Sequence, residues 1–196
     1  MRRGLLLGTL IAIGAISLAA SGQAPAAGPS AKALEATKIE RVKDNLYVIT
    51  GSSAADQTAF SGGNTAVFIT DTGVTLVDTK LPGWGAALLE RIKTVTDKPV
   101  TRIINTHTHG DHTGSNEFFG AAIETVVQEN TKTNMEKMPA FKDAKAQFLP
   151  TKTYADTLTL GSGKDQIDLY YFGRGHTNGD SFVVFTALRT MHVATS

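Results

Sequence analysis

The 196-residue chain contains no cysteine. This absence excludes disulfides, cysteine-based zinc fingers, thiol nucleophiles and iron–sulfur clusters together. An excess of charge of one sign is also lacking, because 19 Lys and Arg against 18 Asp and Glu leave a net charge of +1. That balance offers no electrostatic basis for nucleic-acid binding. With 41% hydrophobic residues in a varied mixture, the composition instead fits one ordinary globular domain.

The sequence begins with the features of an export signal. Two arginines follow the initial methionine, an uncharged and mostly apolar run covers residues 4–20, and small residues follow it. These features together predict a secretory signal peptide over residues 1–24. An uncleaved membrane anchor is the alternative, but the run is shorter than the ~20 residues that a spanning helix needs. We therefore expect a periplasmic or secreted protein with no membrane attachment after cleavage.

Beyond the leader, residues 25–38 are predicted to form a linker and residues 39–196 a single domain. Thr65–Ile69 and Val74–Val77, joined by an Asp-Thr-Gly turn, predict a hairpin, and a helix carrying Trp84 is expected to follow. The remaining predicted strands are residues 46–49, 100–105, 123–127, 166–172, 182–185 and 191–194. Hairpin strands followed by alternating helices and strands favour a mixed α/β sandwich.

Histidines are the residues that indicate chemistry, and three of the five lie in the segment N-T-H-T-H-G-D-H-T-G. His107 and His109 are two residues apart at a predicted strand end, so both imidazoles point the same way. Gly110 then allows a sharp turn that brings Asp111 and His112 back toward the same point. Imidazoles with a nearby carboxylate are ligands that zinc prefers. A polar surface loop is the alternative, but such crowding by chance is improbable in this chain.

A second motif, G-R-G-H-T-N-G-D, lies at the end of the predicted strand 166–172. Glycines before and after His176 form a tight loop that presents one imidazole. A lone histidine of this kind would indicate little. Together with His107 and His109, however, it supplies the third ligand of a zinc site with an open fourth position, which is the arrangement of catalytic zinc.

The motifs H-T-H-G-D-H and G-H-T-N-G-D resemble those of the metallo-β-lactamase-fold hydrolase superfamily. The resemblance runs from about residue 39 to the C-terminus, and Asn64 and Asp78 match the opening of the family less specifically. It implies an α/β fold of the αββα sandwich type, with the metal site at one edge of the paired sheets.

By position, the resemblance also implies a ligand set for two metals. The first metal would be bound by His107, His109 and His176. Asp111 and His112 would contribute to a second metal, with Asp111 also orienting the attacking water.

The resemblance further implies that the C-terminal part of the fold is incomplete. The family continues well beyond the position of Ser196 and supplies a further histidine there. Many members also carry an Asp or Cys near residues 194–196, where this sequence has Ala-Thr-Ser. His192 could substitute, but its place in an apolar β-run is more typical of a packed strand residue. We therefore expect one zinc ion, an incomplete second site and a sheet face left uncovered.

These features predict a secreted zinc-dependent hydrolase. Zinc held by three neutral imidazoles lowers the pKa of bound water to ~7, and the hydroxide attacks the carbonyl of a β-lactam, lactone, ester or thioester. Asp111 is the candidate catalytic residue, which steers the water and relays a proton. The expected partner is a small-molecule substrate and not nucleic acid, while the oligomeric state stays open. The alternative is a truncated, weakly metal-binding or catalytically inactive member of the same fold.

Overall fold

A computed structural model of the protein describes residues 28–193, and the predicted signal peptide lies outside them. The strands in this part of the chain are β1 (Ile39–Lys43), β2 (Leu46–Ile49), β3 (Thr65–Ile69), β4 (Val74–Val77), β5 (Val100–Ile104), β6 (Glu124–Gln128), β7 (Lys152–Tyr154), β8 (Thr157–Leu160), β9 (Ile167–Tyr170), β10 (Phe182–Phe185) and β11 (Thr190–Val193). The helices are α1 (Ala31–Ala36), α2 (Gly85–Lys93), α3 (Gly110–Thr113) and α4 (Glu129–Met135).

The strands form two sheets. Seven strands pair in the order β1-β2-β3-β4-β5-β6-β7, and four pair in the order β11-β10-β9-β8. In the larger sheet β1 to β4 are antiparallel, whereas β4 to β7 are parallel. Parallel neighbours need crossover connections, which contain α2 between β4 and β5 and α4 between β6 and β7. The carboxyl ends of β4, β5 and β6 consequently share one edge of the sheet, where loops can form a site.

An apolar core holds the two sheets face to face. Leu46, Phe68 and Ile104 of the larger sheet join Leu169 and Phe185 of the smaller one in a single buried cluster. The rings of Phe68 and Phe185 lie 4.9 Å apart. Along β9 and β10 buried and half-buried residues alternate, because successive side chains of a strand point to opposite faces. This packing forms the two β layers of the predicted sandwich and confirms the α/β fold class.

Helices cover the other face of the larger sheet. Leu88 and Ile92, four residues apart on one side of α2, pack in a cluster with Leu76 of β4. Within the predicted linker, α1 adds Ala33 to this cluster. Ser30 caps α1, since its hydroxyl accepts a hydrogen bond from the Ala33 N–H at 3.1 Å. The segment before β1 is therefore packed against the domain from Ser30 onward.

The hydrophobic patterns located most strands. The predicted hairpin is confirmed as β3 and β4 with the same bounds, as are the strands at 46–49 and 182–185. The other predicted strands are present with bounds that differ by one or two residues. Three further strands, β1, β7 and β8, carry too few apolar residues to stand out in the sequence.

The outer face of the smaller sheet exposes apolar side chains. Phe172 is 74% exposed and Met191 is 55% exposed. The ring of Phe172 contacts Tyr170 and Phe182, whose ring centroids lie 5.7 and 5.1 Å away. Within residues 28–193, no helix has the length and apolar character needed to cross a bilayer.

Candidate metal centre

Loops from both sheets meet at the carboxyl edge of β4 and β5. His107 and His109 directly follow β5, whereas His176 comes from the loop between β9 and β10. A hydrogen bond from the Ser181 N–H to the Thr106 carbonyl, 2.7 Å long, joins the two segments. The sandwich therefore brings the two sequence motifs together.

Three imidazoles converge at this edge. The ligand nitrogens of His107, His109 and His176 all lie within 4.8 Å of one another. His109 Nδ1 and His176 Nε2 are 3.0 Å apart, and the ring centroid of His107 lies 4.8 and 5.0 Å from those of His109 and His176. Across residues 28–193, no other three His, Asp or Glu side chains approach this closely. The predicted three-histidine set is thus assembled in the structure.

His107 is the deepest of the three. Its side chain is 1% exposed, and its Nε2 atom has no hydrogen-bond partner among the described residues. The Thr106 hydroxyl donates to Asp78 Oδ2 at 2.7 Å and therefore accepts from the His107 Nδ1–H at 3.1 Å. With the proton on Nδ1, the Nε2 atom carries a lone pair. A buried, unpartnered lone pair beside two other imidazoles fits a metal ion.

The protonation state of His107 also suits metal binding. Burial, and after it the charge of His112, lowers the pKa of His107 to about 4. The imidazole is consequently neutral at neutral pH, and neutral imidazole is the form that binds metals.

Asp111 and His112 lie on α3, next to the three-histidine group. The ring centroid of His112 is 4.2 Å from that of His107. His112 Nδ1 lies 2.7 Å from Asp78 Oδ2, while His112 Nε2 lies 3.5 Å from Asp111 Oδ2. The two predicted second-site residues therefore face each other, as the turn at Gly110 was expected to allow.

Asp78 organises both His107 and His112. Its carboxylate is fully buried and also accepts the Thr106 N–H at 2.8 Å through Oδ1. Burial would raise the pKa of Asp78, but the hydrogen bond and charge of His112 outweigh it and hold that pKa below its usual value. Burial would likewise lower the pKa of His112, yet Asp78 raises it overall. Metal-binding histidines commonly donate their second N–H to such a carboxylate, which fixes the tautomer and the ring orientation.

A cavity of about 240 Å³ opens beside Asp111 and His112. Asp111, His112 and His192 line it together with residues of the loop between β2 and β3. His192 stands opposite Val183, a core residue of β10, and burial lowers the pKa of its imidazole. His192 is thus a half-buried strand residue that also forms part of the cavity wall.

Sequence reasoning missed the role of the segment Asp78–Lys80. Asp78 stood out only as a weak match to a family pattern, and Lys80 did not stand out. All four residues of β4 are buried, and three buried polar residues follow them at once. A polar run directly after a fully buried strand could have signalled a site, because buried polar groups need specific partners.

Comparison with known sequences identifies the family of this arrangement. The sequence model of the metallo-beta-lactamase superfamily matches residues 59–190, which include both histidine motifs. A metallo-beta-lactamase type 2 of Elizabethkingia meningoseptica is 33% identical over 157 residues, which cover 76% of this chain. The match covers 57% of that relative, so the chain spans little more than half the length of this curated protein.

Solved structures show the same fold. The metallo-beta-lactamase IND-7 aligns with a TM-score of 0.63 and 24% identity, over 79% of this chain and 69% of the other. A metallo-beta-lactamase from Pontibacter korlensis aligns with a TM-score of 0.60 and 23% identity, over 75% of this chain and 66% of the other. At this level of identity the likeness concerns the fold.

Proposed function

The chain belongs to the metallo-beta-lactamase superfamily, and on this premise we propose that it is an exported, zinc-dependent hydrolase that opens β-lactam rings. The observation that carries the proposal is the convergence of the three imidazoles of His107, His109 and His176. The relative of 33% identity, which is named a metallo-beta-lactamase, supports the β-lactam as substrate. Lactones, esters and thioesters are the alternatives, because their carbonyl groups undergo the same attack by water.

His107, His109 and His176 would hold the zinc ion, which leaves one coordination position for water or substrate. When bound, zinc supplies a water of lowered pKa and a positive charge that stabilises a developing oxyanion. Hydrolysis joins the oxygen of water to the carbonyl carbon, breaks the carbon–nitrogen bond and leaves a proton on the nitrogen. The task of this chain is to position the water and move that proton.

Asp111 is the candidate for both tasks. It lines the cavity beside the histidine group, is half-buried, and faces His112 Nε2 at 3.5 Å. From there its carboxylate can accept a hydrogen bond from the attacking water and receive its proton. A positioned general base of this kind typically contributes about 10²–10⁴ to the rate.

A second metal has a weaker basis in these residues. Asp111 and His112 face each other, but no third metal-binding side chain joins them as closely within residues 28–193. An ion held by two protein groups and water should bind more weakly than the first. We therefore propose one tightly bound zinc ion per chain.

The test combines metal content with hydrolysis. Purified protein should contain about one zinc ion per chain, and it should open a chromogenic cephalosporin in a reaction that a chelator abolishes and added zinc restores. Protein that folds but binds no zinc would instead support the weakly binding, inactive alternative. Two tightly bound ions per chain would contradict the single-site proposal.

Export is tested separately. The leader predicted over residues 1–24 should be absent from protein recovered from the periplasm or medium, so that the mature chain begins near Gln23 or Pro25. N-terminal sequencing gives this start directly. An intact Met1 on protein in the cytoplasm would contradict export and leave the hydrolase proposal unaffected.

A further inference from the structure

The loop between β2 and β3, residues 50–64, forms one wall of the cavity that Asp111 and His112 line. We name it the wall loop. Seven of its residues contribute to the wall: Gly51, Ser52, Ala54, Phe60, Gly62, Gly63 and Asn64. Any substrate that enters the cavity would therefore contact this loop.

The base of the wall loop touches the α3 residues directly. The Gly63 N–H donates to the Asp111 carbonyl at 3.1 Å. A Cβ atom on Gly63 would lie 2.3 Å from Cε1 of His112, and one on Gly62 would lie 2.4 Å from the Asp111 carbonyl oxygen. The backbone of Gly62 also has φ +94°, a conformation that residues other than glycine rarely adopt. Glycine at both positions lets the backbone pack against Asp111 and His112.

Lys80 joins the two ends of the wall loop. Its Nζ atom donates to the Thr50 carbonyl at 2.9 Å and to the Gly63 carbonyl at 2.7 Å. Thr50 directly follows β2, and Gly63 lies two residues before β3. One buried amine therefore bridges the points where the loop leaves the sheet and returns to it.

Lys80 is an unusual residue for this position if it only fills space. Its side chain is fully buried, and its backbone has φ +62°, which is strained for a residue other than glycine. Desolvation of a buried amine is unfavourable, whereas an apolar side chain would incur no such cost. Burial, followed by the charge of Arg91, lowers the pKa of Lys80 to about 7, against the opposing effect of Asp78. Either protonation state still offers at least two N–H groups, one for each carbonyl.

We infer that Lys80 is a positioning residue: it fixes the base of the wall loop and so holds the Gly62–Gly63 backbone against Asp111 and His112. Through this contact it sets the width of the cavity for the substrate. Only the expected change in kinetics rests on the proposed hydrolase function. The two hydrogen bonds by which Lys80 clamps the wall loop are a property of the fold.

The test compares K80M with the wild type by amide hydrogen exchange and by steady-state kinetics on a chromogenic cephalosporin. In K80M, exchange at the Gly51 and Gly63 N–H groups should rise about tenfold or more, while the amides of β9 and β10 keep wild-type rates. The zinc content should stay at the wild-type level. KM should rise several-fold with little change in kcat, whereas a loss of folded protein would lower apparent kcat and leave KM unchanged.

K98M is the matched control. Lys98 Nζ also donates to a loop carbonyl, that of Thr70 at 2.6 Å, but Thr70 lies in the turn between β3 and β4. K98M should leave exchange at Gly51 and Gly63, and also KM, at wild-type values. If K80M does not fold, K80Q is measured in its place, because its shorter amide cannot reach both carbonyls.

Unchanged exchange at Gly51 and Gly63 would overturn the inference. So would an equal rise throughout β9 and β10, since Lys80 would then support the whole domain rather than the wall loop. If the wild type hydrolyses no substrate, the proposed function fails, yet the exchange result still decides whether Lys80 clamps the loop.

Discussion

The two exposed histidines of the metal centre and the buried segment Asp78–Lys80 lie at the same edge of the molecule but differ in burial and in hydrogen bonding. His109 and His176 are exposed, and their nitrogens face each other rather than a carboxylate. Asp78 and Lys80 are fully buried, and each makes several hydrogen bonds to other segments. Both also have positive φ, a conformation that costs about 1–3 kcal/mol and persists only where the surroundings enforce it.

This difference separates the binding of a ligand from the positioning of the groups that bind it. The exposed imidazoles remain available for a metal because the protein does not use all their nitrogens. The polar groups of the buried segment already form hydrogen bonds with neighbouring loops and with His112. Substitutions in the two regions should therefore fail in different ways.

The largest effect should come from H109A. Two remaining imidazoles make a poor zinc site. Even the substitution of a residue outside the ligand shell typically lowers metal affinity by about 10–100-fold. We expect H109A to lose most of its zinc and, with it, hydrolysis. Metal analysis after gel filtration measures this. T108A is the control, because the Thr108 hydroxyl contacts Met138 instead of the histidines.

Asp111 should affect activity without affecting the first metal. D111N keeps the size of the side chain but cannot accept a proton, so hydrolysis should fall by about 10²–10⁴-fold. Zinc content should stay close to that of the wild type. A loss of zinc parallel to the loss of rate would show that Asp111 acts mainly as a ligand, which would contradict this division of roles.

Asp78 should affect stability more than the exposed imidazoles do. In D78N the amide cannot satisfy all three donors that Asp78 now accepts, and the buried pair with His112 loses its negative partner. Breaking a buried pair in this way costs about 3–5 kcal/mol. Urea unfolding of the zinc-free protein measures the loss. The control is D71N, since Asp71 pairs with Lys164 at the surface and its removal should have little effect.

The smallest effect, counted per pH unit, is a pH dependence of stability due to Lys80. Its pKa is about 7 in the fold against 10.5 for the free side chain, with burial as the main cause. Between these values the unfolded chain holds a proton that the folded chain does not, so the free energy of unfolding should rise with pH. The slope should reach at most about 1.4 kcal/mol per pH unit. K80M should lack this contribution, and an identical slope in both proteins would contradict the lowered pKa.

The sequence alone determined what depends on near neighbours along the chain. Strand positions followed from runs of β-branched and apolar residues, as in the hairpin of β3 and β4. The spacing of His107, His109, Asp111 and His112 identified the candidate ligands, because a strand end and one turn suffice to bring those side chains near one point. The resemblance of both motifs to one superfamily supplied the fold class, which the structure and the family match support.

Only the tertiary structure decided which distant segments hold those ligands in place. His176 meets His109 across 67 positions, Asp78 meets His112 across 34, and Lys80 reaches Thr50 across 30. The pairing of β4 with β5 and the packing of one sheet on the other create these contacts. No pattern within either strand specifies them. Hydrogen bonds act over about 3 Å, so their partners become defined only once both sheets are in register.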